Sequence, residues 1–509
     1  MKLSILLALL ATGAWAAETP ALREGAVRGG DWRVVYGTAE GPEGRALETL
    51  VQAMGPLMLR DPHTTTAHVL PQEPAGRPVS AAASVGERRV KKNVIYVGTR
   101  ADNCELASRV AAADVPKGGY CVRATVEDGS RVVLLAGDTP SAALWATFDF
   151  LDVGIPEMCE AMTKKSQRLC YRSAFFDEPA TNAVPYERRT APETSVRSVF
   201  AWGNVVDDYR SFFREMARSR FNRVILWNEY PPVNAHEVVA CAHGWGIAVY
   251  WGFAWGWSYG DCAFSKTDDL KGLADGIVRE WRETWKPLGG DGIYFQSFTE
   301  QSRRTINGRS IASMVVEVVN DAAGRIKAEA PGLDLVFGLH ADSVREDLAD
   351  IAKTDPRLEI LWENCGDFPY LEWSREDPTP LAKRALALTD RVGFVWKWQT
   401  RIDWTHAVHQ AGPYLLGCAG DGLLARDRAA TAPRHFASDE KWRQDGHCAW
   451  EHIRTLRSGG RQPCEFNAVA EYNPPFSFAT LCQAELFWNA SDPWERIVRR
   501  VRLRLSCDF

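Results

Sequence analysis

The chain has no Cys-x-x-Cys pair among its 12 cysteines, and no His-Glu-x-x-His, Walker loop or Gly-x-Gly-x-x-Gly fingerprint. Those absences argue against a zinc knuckle, a thioredoxin-like redox site, a zincin, a phosphate loop and a dinucleotide site. No metal or cofactor is expected. Excess positive charge is missing too: 60 Lys and Arg stand against 65 Asp and Glu, for a net charge of −5. Such a balance gives no reason to expect nucleic acid or an anionic membrane surface as a partner. Beyond the first residues there is no apolar run of the roughly 18 residues that read as a spanning helix, so membrane insertion is not expected.

The first residues are MKLSILLALLATGAWAAE, with a basic Lys2, an apolar run from Leu3 to Ala11 and a small-x-small site at Ala14-Trp15-Ala16. This is the layout of a secretory signal peptide, expected to span residues 1–17 and to be removed. Loss of Lys2 takes the formal charge from −5 to −6. A periplasmic or secreted destination follows. The cysteines are then free to form disulfides, whose pairing the sequence does not give. Tryptophan is abundant at 20 residues. More than half are expected in the core with partnered indoles, and the rest can stack on apolar sugar faces.

Residues 30–165 read as a separate α/β domain. Strands are expected at Thr66–Leu70, Asn93–Gly98, Tyr120–Glu127 and Arg131–Ala136, the last two joined by an Asp128-Gly129 hairpin turn. Thr139 and Pro140 suit the start of a helix that buries Ala143, Leu144, Thr147, Phe148 and Leu151. Residues 166–195 are polar and proline-punctuated, as in a linker. From Val196 to the end, residues 196–509, strands and helices alternate, which implies a mainly parallel sheet. Eight strands are expected, at Val196–Trp202, Arg223–Trp227, Ile247–Trp251, Gly292–Phe295, Asp334–Gly338, Glu359–Trp362, Val392–Trp396 and Tyr414–Gly417. Eight is the count of a (β/α)8 TIM barrel. Residues 428–475 read as a loop-rich excursion and Phe476 to Val501 as a closing helical segment.

In such a barrel the reacting groups sit where strands end. The stretch GDGIYFQSFTE, residues 290–300, runs from an apolar strand into polar residues and stops on Glu300. Asp342 follows the fifth strand and Glu363 the sixth, with Asp367 four residues later. Glycoside cleavage needs a protonated carboxylic acid at the leaving oxygen and an ionised carboxylate facing the anomeric carbon or its water. Glu300 is expected as the acid and Glu363 as the base or nucleophile, with Asp342 as helper or substitute. Apolar Phe295 and Phe298 beside Glu300 are expected to desolvate it and raise its pKa. Groups suited to sugar hydroxyls and faces lie at other strand ends: Trp202, Asn228, Glu229, Trp251, Trp257, His340, Lys397, Trp398 and Asp421.

One motif competes. GWSYG, residues 256–260, fits the Gly-x-Ser-x-Gly elbow of serine hydrolases, with Ser258 as nucleophile and His406 as a partner on paper. That elbow needs a helix at once after the serine, and bulky Trp257 and Tyr259 flank it instead. A barrel that binds glycans without cutting them is the other alternative.

The segments NVIYVGTRADN and GGYCVRATVEDGSRVVLLAGDTPSAALWATFDFLDV resemble the α/β domain that precedes the barrel in several exo-glycosidases. These include the α-glucuronidases of glycoside hydrolase family 67 and the β-hexosaminidases of families 20, 84 and 163. The resemblance implies a general acid at Glu300 and water activation by Asp342 and Glu363, as in an inverting α-glucuronidase. Families 20 and 84 place adjacent acids after the fourth strand. This chain has Phe298-Thr299-Glu300 there, a departure that speaks against their substrate-assisted mechanism but leaves other β-N-acetylhexosaminidase-like families open. The partner implied is an oligosaccharide or glycan.

Overall fold

The computed structural model describes residues 25–26, 32–58, 66–71, 93–162, 171–177, 183–202, 206, 208–227, 230–253, 257–258, 261–262, 269–296, 304–340, 345–363, 379–396, 415–417, 421–469 and 476–507. The chain divides into two compact units. One comprises Met1–Pro116 with Tyr120–Arg189, the other Lys117–Gly119 with Thr190–Phe509.

The first unit is built on a seven-stranded sheet of order β1-β3-β2-β4-β6-β5-β7. Its strands are β1 (Gly25–Ala26), β2 (Trp32–Tyr36), β3 (Thr66–Pro71), β4 (Asn93–Thr99), β5 (Tyr120–Glu127), β6 (Ser130–Gly137) and β7 (Tyr186–Thr190). Parallel β2, β3, β4 and β6 form the centre, and β5 pairs antiparallel with β6. Asp128 and Gly129 have φ of 49° and 75°, the two positive values that a tight hairpin turn matching strand twist requires. Thr139 caps the helix Pro140–Asp149 by accepting from the Ala142 amide at 3.2 Å.

Several features of this unit are not anticipated by the sequence. Trp32-Arg33-Val34-Val35-Tyr36 is a strand, and Gly41–Met58 is a helix whose glycine- and proline-bearing start mimics a loop. The stretch taken for a linker also holds the helix Tyr171–Asp177 and β7. In the first turn of Gly41–Met58, Glu43 is 3% exposed and accepts from the Thr99 amide at 2.8 Å. Burial, with Asp102 nearby, pushes its carboxyl up to about 7 against the hydrogen bonds that favour its charge.

The second unit is a closed barrel of eight strands, all parallel. They are β8 (Val196–Trp202), β9 (Arg223–Trp227), β10 (Ala248–Phe253), β13 (Gly292–Gln296), β16 (Asp334–His340), β17 (Glu359–Glu363), β18 (Val392–Trp396) and β19 (Glu465–Val469). Two short ribbons lie between them in sequence, β11 (Trp257–Ser258) with β12 (Asp261–Cys262), and β14 (Thr305–Ile306) with β15 (Arg309–Ser310). The fold class is thus a TIM barrel with a smaller α/β unit.

Seven barrel strands stand where the sequence places them, within two residues. The eighth does not. Of the expected strand Tyr414–Gly417, the described residues Leu415–Gly417 are not extended pairing chain: Leu416 and Gly417 form a turn. The barrel closes with Glu465–Val469, which pairs with β18 on one side and β8 on the other. Between β18 and β19 runs the 37-residue helix Asp421–Arg457, where a loop-rich excursion was expected.

Side chains alternate across each strand. Phe200, Ile225, Tyr250, Tyr294, Val336, Leu361, Val395 and Val469 meet as one buried cluster, which marks the inward face. The other face packs outward against helices such as Leu270–Glu280, capped by Asp269, and Ile311–Glu329, capped by Ser310.

Candidate active site at the barrel mouth

The inward face divides into layers. Going up β17, Glu359, Leu361 and Glu363 share one side, and Leu361 belongs to the interior cluster. Glu363 therefore faces the barrel axis from the last position of its strand, and it is only 5% exposed. Its backbone pairs in register with His340, the last residue of β16, and with Val395 of β18. An acid so placed stands at the C-terminal mouth, where barrel enzymes carry their chemistry.

The other acids of the sequence reading, Glu300, Asp342 and Asp367, fall outside the described residues, as do Asn228, Glu229, Lys397 and Trp398. Each follows the end of a barrel strand: Asn228-Glu229 comes directly after β9, Glu300 after β13, Asp342 after β16, Asp367 after β17 and Lys397-Trp398 directly after β18. Trp202 is the final residue of β8, in register with Trp227 of β9.

Three residues are placed differently from expectation. Trp251 lies in the middle of β10 and alternates with inward Tyr250, so it points outward. Its indole N–H donates to the Gly289 carbonyl at 2.8 Å, and its ring lies 6.0 Å from Trp285. At 1% exposure it packs against its neighbours and is not the sugar platform expected of it. Asp421 does not follow an eighth strand; it opens the long helix after β18. Phe295 alternates with Tyr294 and so belongs to the outer face of β13, away from the interior.

Trp257 and Ser258 lie in β11, with Ser258 opposite Asp261 across the ribbon. A nucleophile elbow requires a strand-to-helix turn at the serine. An antiparallel ribbon is not that turn. Among the described residues no group of three or more His, Cys, Asp and Glu is placed to hold a metal ion. No helix among them is long and apolar enough to cross a membrane.

Opposite the mouth, the floor holds a charged network that sequence reasoning missed. Arg223, the first residue of β9, donates to Glu359 at 3.0 Å and to Glu465, the first residues of β17 and β19. Its guanidinium carbon also sits 4.2 Å from the centre of the Tyr250 ring. Ser198 donates to Glu465, Asn467 donates to Ser198 at 2.6 Å, and the Cys464 thiol donates to Glu359 at 3.4 Å. Burial raises the Glu465 carboxyl to about 8, against the pull of Arg223. Burial also pushes Glu359 up, but Arg223 outweighs it and leaves that carboxyl below its ordinary value. The available signal was a charged residue at the first position of three parallel strands, which is a costly place unless the charges meet.

No protein-family model matches the chain, and no curated protein matches it significantly. Solved structures similar to it include glycoside hydrolases of several families. An enzyme of family 138 targeting pectin rhamnogalacturonan II shares 10% identity at a TM-score of 0.45, covering 91% of this chain and 51% of that one. A family 89 glycoside hydrolase from Clostridium perfringens shares 10% at 0.41, covering 78% and 49%. The catalytic domain of a family 18 chitinase from the fern Peteris ryukyuensis shares 13% at 0.37, covering 58% and 100%. The chain thus spans about half the length of the first two. Likeness at this level leaves function to be argued from the chain's own residues.

Proposed function

We propose that the chain is an exported glycoside hydrolase that removes terminal sugars from a polysaccharide or glycan, in the manner of an α-glucuronidase. The observation that carries this reading is Glu363, a buried carboxylate facing the axis from the last residue of a barrel strand. Glu300 is the general acid: it gives its proton to the glycosidic oxygen as the bond to the anomeric carbon breaks. Glu363 is the base that takes a proton from the attacking water, with Asp342 as helper. Trp202, Asn228, Glu229, His340, Lys397 and Trp398 supply stacking and hydrogen bonds to the sugar from neighbouring strand ends. Export follows from the leader-like residues 1–17.

The test is a panel of nitrophenyl glycosides and uronic-acid-capped oligosaccharides, given to the wild type and to Glu300→Gln and Glu363→Gln. Release of a monosaccharide by the wild type, lost in both variants with their circular dichroism unchanged, is the expected result. Full activity in Glu363→Gln would remove that residue from the mechanism. Retention on an immobilised glycan without cleavage would turn the reading to a binding barrel.

A further inference from the structure

Glu359 and Glu465 are among the most deeply buried carboxylates of the barrel, at 2% and 0% exposure. Both accept from the same nitrogen of Arg223, Nη1, Glu359 at 3.0 Å. Two buried carboxylates drawn to one donor repel each other when both are ionised, and a proton on either removes that repulsion. Charge counting leads to the same place. One guanidinium faces two carboxylates in a site closed to water, so one negative charge is left over.

The remaining neighbours do not cancel that charge. Ser198 of β8 is neutral and donates to Glu465. The Tyr250 hydroxyl of β10 donates a hydrogen bond to Asp334 of β16 at 2.6 Å, and Asp334 lies 3.9 Å from Arg223, adding negative charge. Tyr294 of β13 faces Glu465 with its own ionisation pushed upward by burial. Cys464, just before β19, is held as the thiol by burial and by the two acids. Arg391, just before β18, reaches only to 3.9 Å from Glu359 and is more than one third exposed. Gly393 of β18 supplies space in place of charge: a Cβ there would lie 2.7 Å from the Glu465 Cβ.

We propose that Glu359 and Glu465 hold one proton between them, and that its release in alkaline solution loosens the barrel floor. The proton is bound in the folded chain and absent from the unfolded one over the range in which an ordinary glutamate is ionised. Folded-state binding is stronger, so the stabilisation is full below the ordinary glutamate value of 4.5 and is lost as pH rises towards about 8. The pair titrates as a unit, in two steps that belong to neither residue alone.

The experiment compares denaturant unfolding of the full chain and of Glu465→Gln from mildly acidic to alkaline pH. The amide of the variant replaces the protonated acid without a titratable proton. The ratio of wild-type to variant unfolding constants is expected to climb by about tenfold per pH unit across that window. Parallel profiles would overturn the proposal. Should the variant fail to fold, infrared spectroscopy of the chain carrying Glu43→Gln and Glu300→Gln, which removes the two other carboxyls expected to hold a proton, decides. A protonated carboxylic-acid carbonyl band at neutral pH that vanishes at alkaline pH supports the shared proton, and its absence at neutral pH refutes it.

Discussion

Gly338 of β16 gives up a side chain so that Tyr294 of the neighbouring β13 can lie over it: a Cβ at that position would lie 2.0 Å from the Tyr294 hydroxyl oxygen. Gly338→Ala is therefore expected to destabilise the barrel by about 1–3 kcal/mol through overpacking. In a double-mutant cycle with Tyr294→Leu, which removes the far end of the ring, the two costs should fall well short of adding. Strict additivity in denaturant titrations would mean that the two residues do not press on one another. Glu43 gives a second prediction. Its carboxyl is raised to about 7, so the folded chain holds a proton that the unfolded chain releases near 4.5, and stability falls as pH rises between those values. Glu43→Gln should flatten that fall, as read by unfolding at the two ends of the window. Trp251 shows what sequence alone conceals at this scale. In a parallel strand buried on both faces, inward and outward positions are equally apolar, so no alternation reveals which way a tryptophan points.

At the scale of elements, the helix start at Thr139 was legible, because a cap is a local bargain between one side chain and one orphan amide. Thr139, Asp269 and Ser310 each accept from an amide three residues on. Ser310→Ala should lower stability by about 1 kcal/mol, with faster hydrogen exchange confined to the first turn of Ile311–Glu329 as its signature. The eighth strand was illegible for a physical reason. Glu465-Phe466-Asn467-Ala468-Val469 carries polar residues inward, Glu465 to Arg223 and Asn467 to Ser198. Their apolar count is low because their partners are polar. Tyr414-Leu415-Leu416-Gly417 looked more like a strand, and Gly422, Pro433 and Gly446 disguised the helix Asp421–Arg457 as loop. The carboxylate at the mouth, by contrast, was legible from the apolar run that ends on it at Glu363.

For the molecule as a whole, closure depends on β19. Phe466 lies in register with Phe394 of β18 and Arg197 of β8. Proline in such a central strand removes a ladder hydrogen bond and fixes φ. Phe466→Pro should accordingly cost the barrel its cooperative unfolding and its near-ultraviolet dichroism; a variant that keeps both would show that closure tolerates a broken seam. Ser198 and Glu465, which meet at that seam, are 267 positions apart in the chain. On the ribosome, then, β8 to β18 emerge long before the strand that joins their two free sides. Throughout that interval the nascent chain presents two bare strand edges, each a template for pairing with a neighbouring chain. Yield in a host cell should follow the supply of chaperones that shield such edges more closely than it follows the stability of the finished barrel.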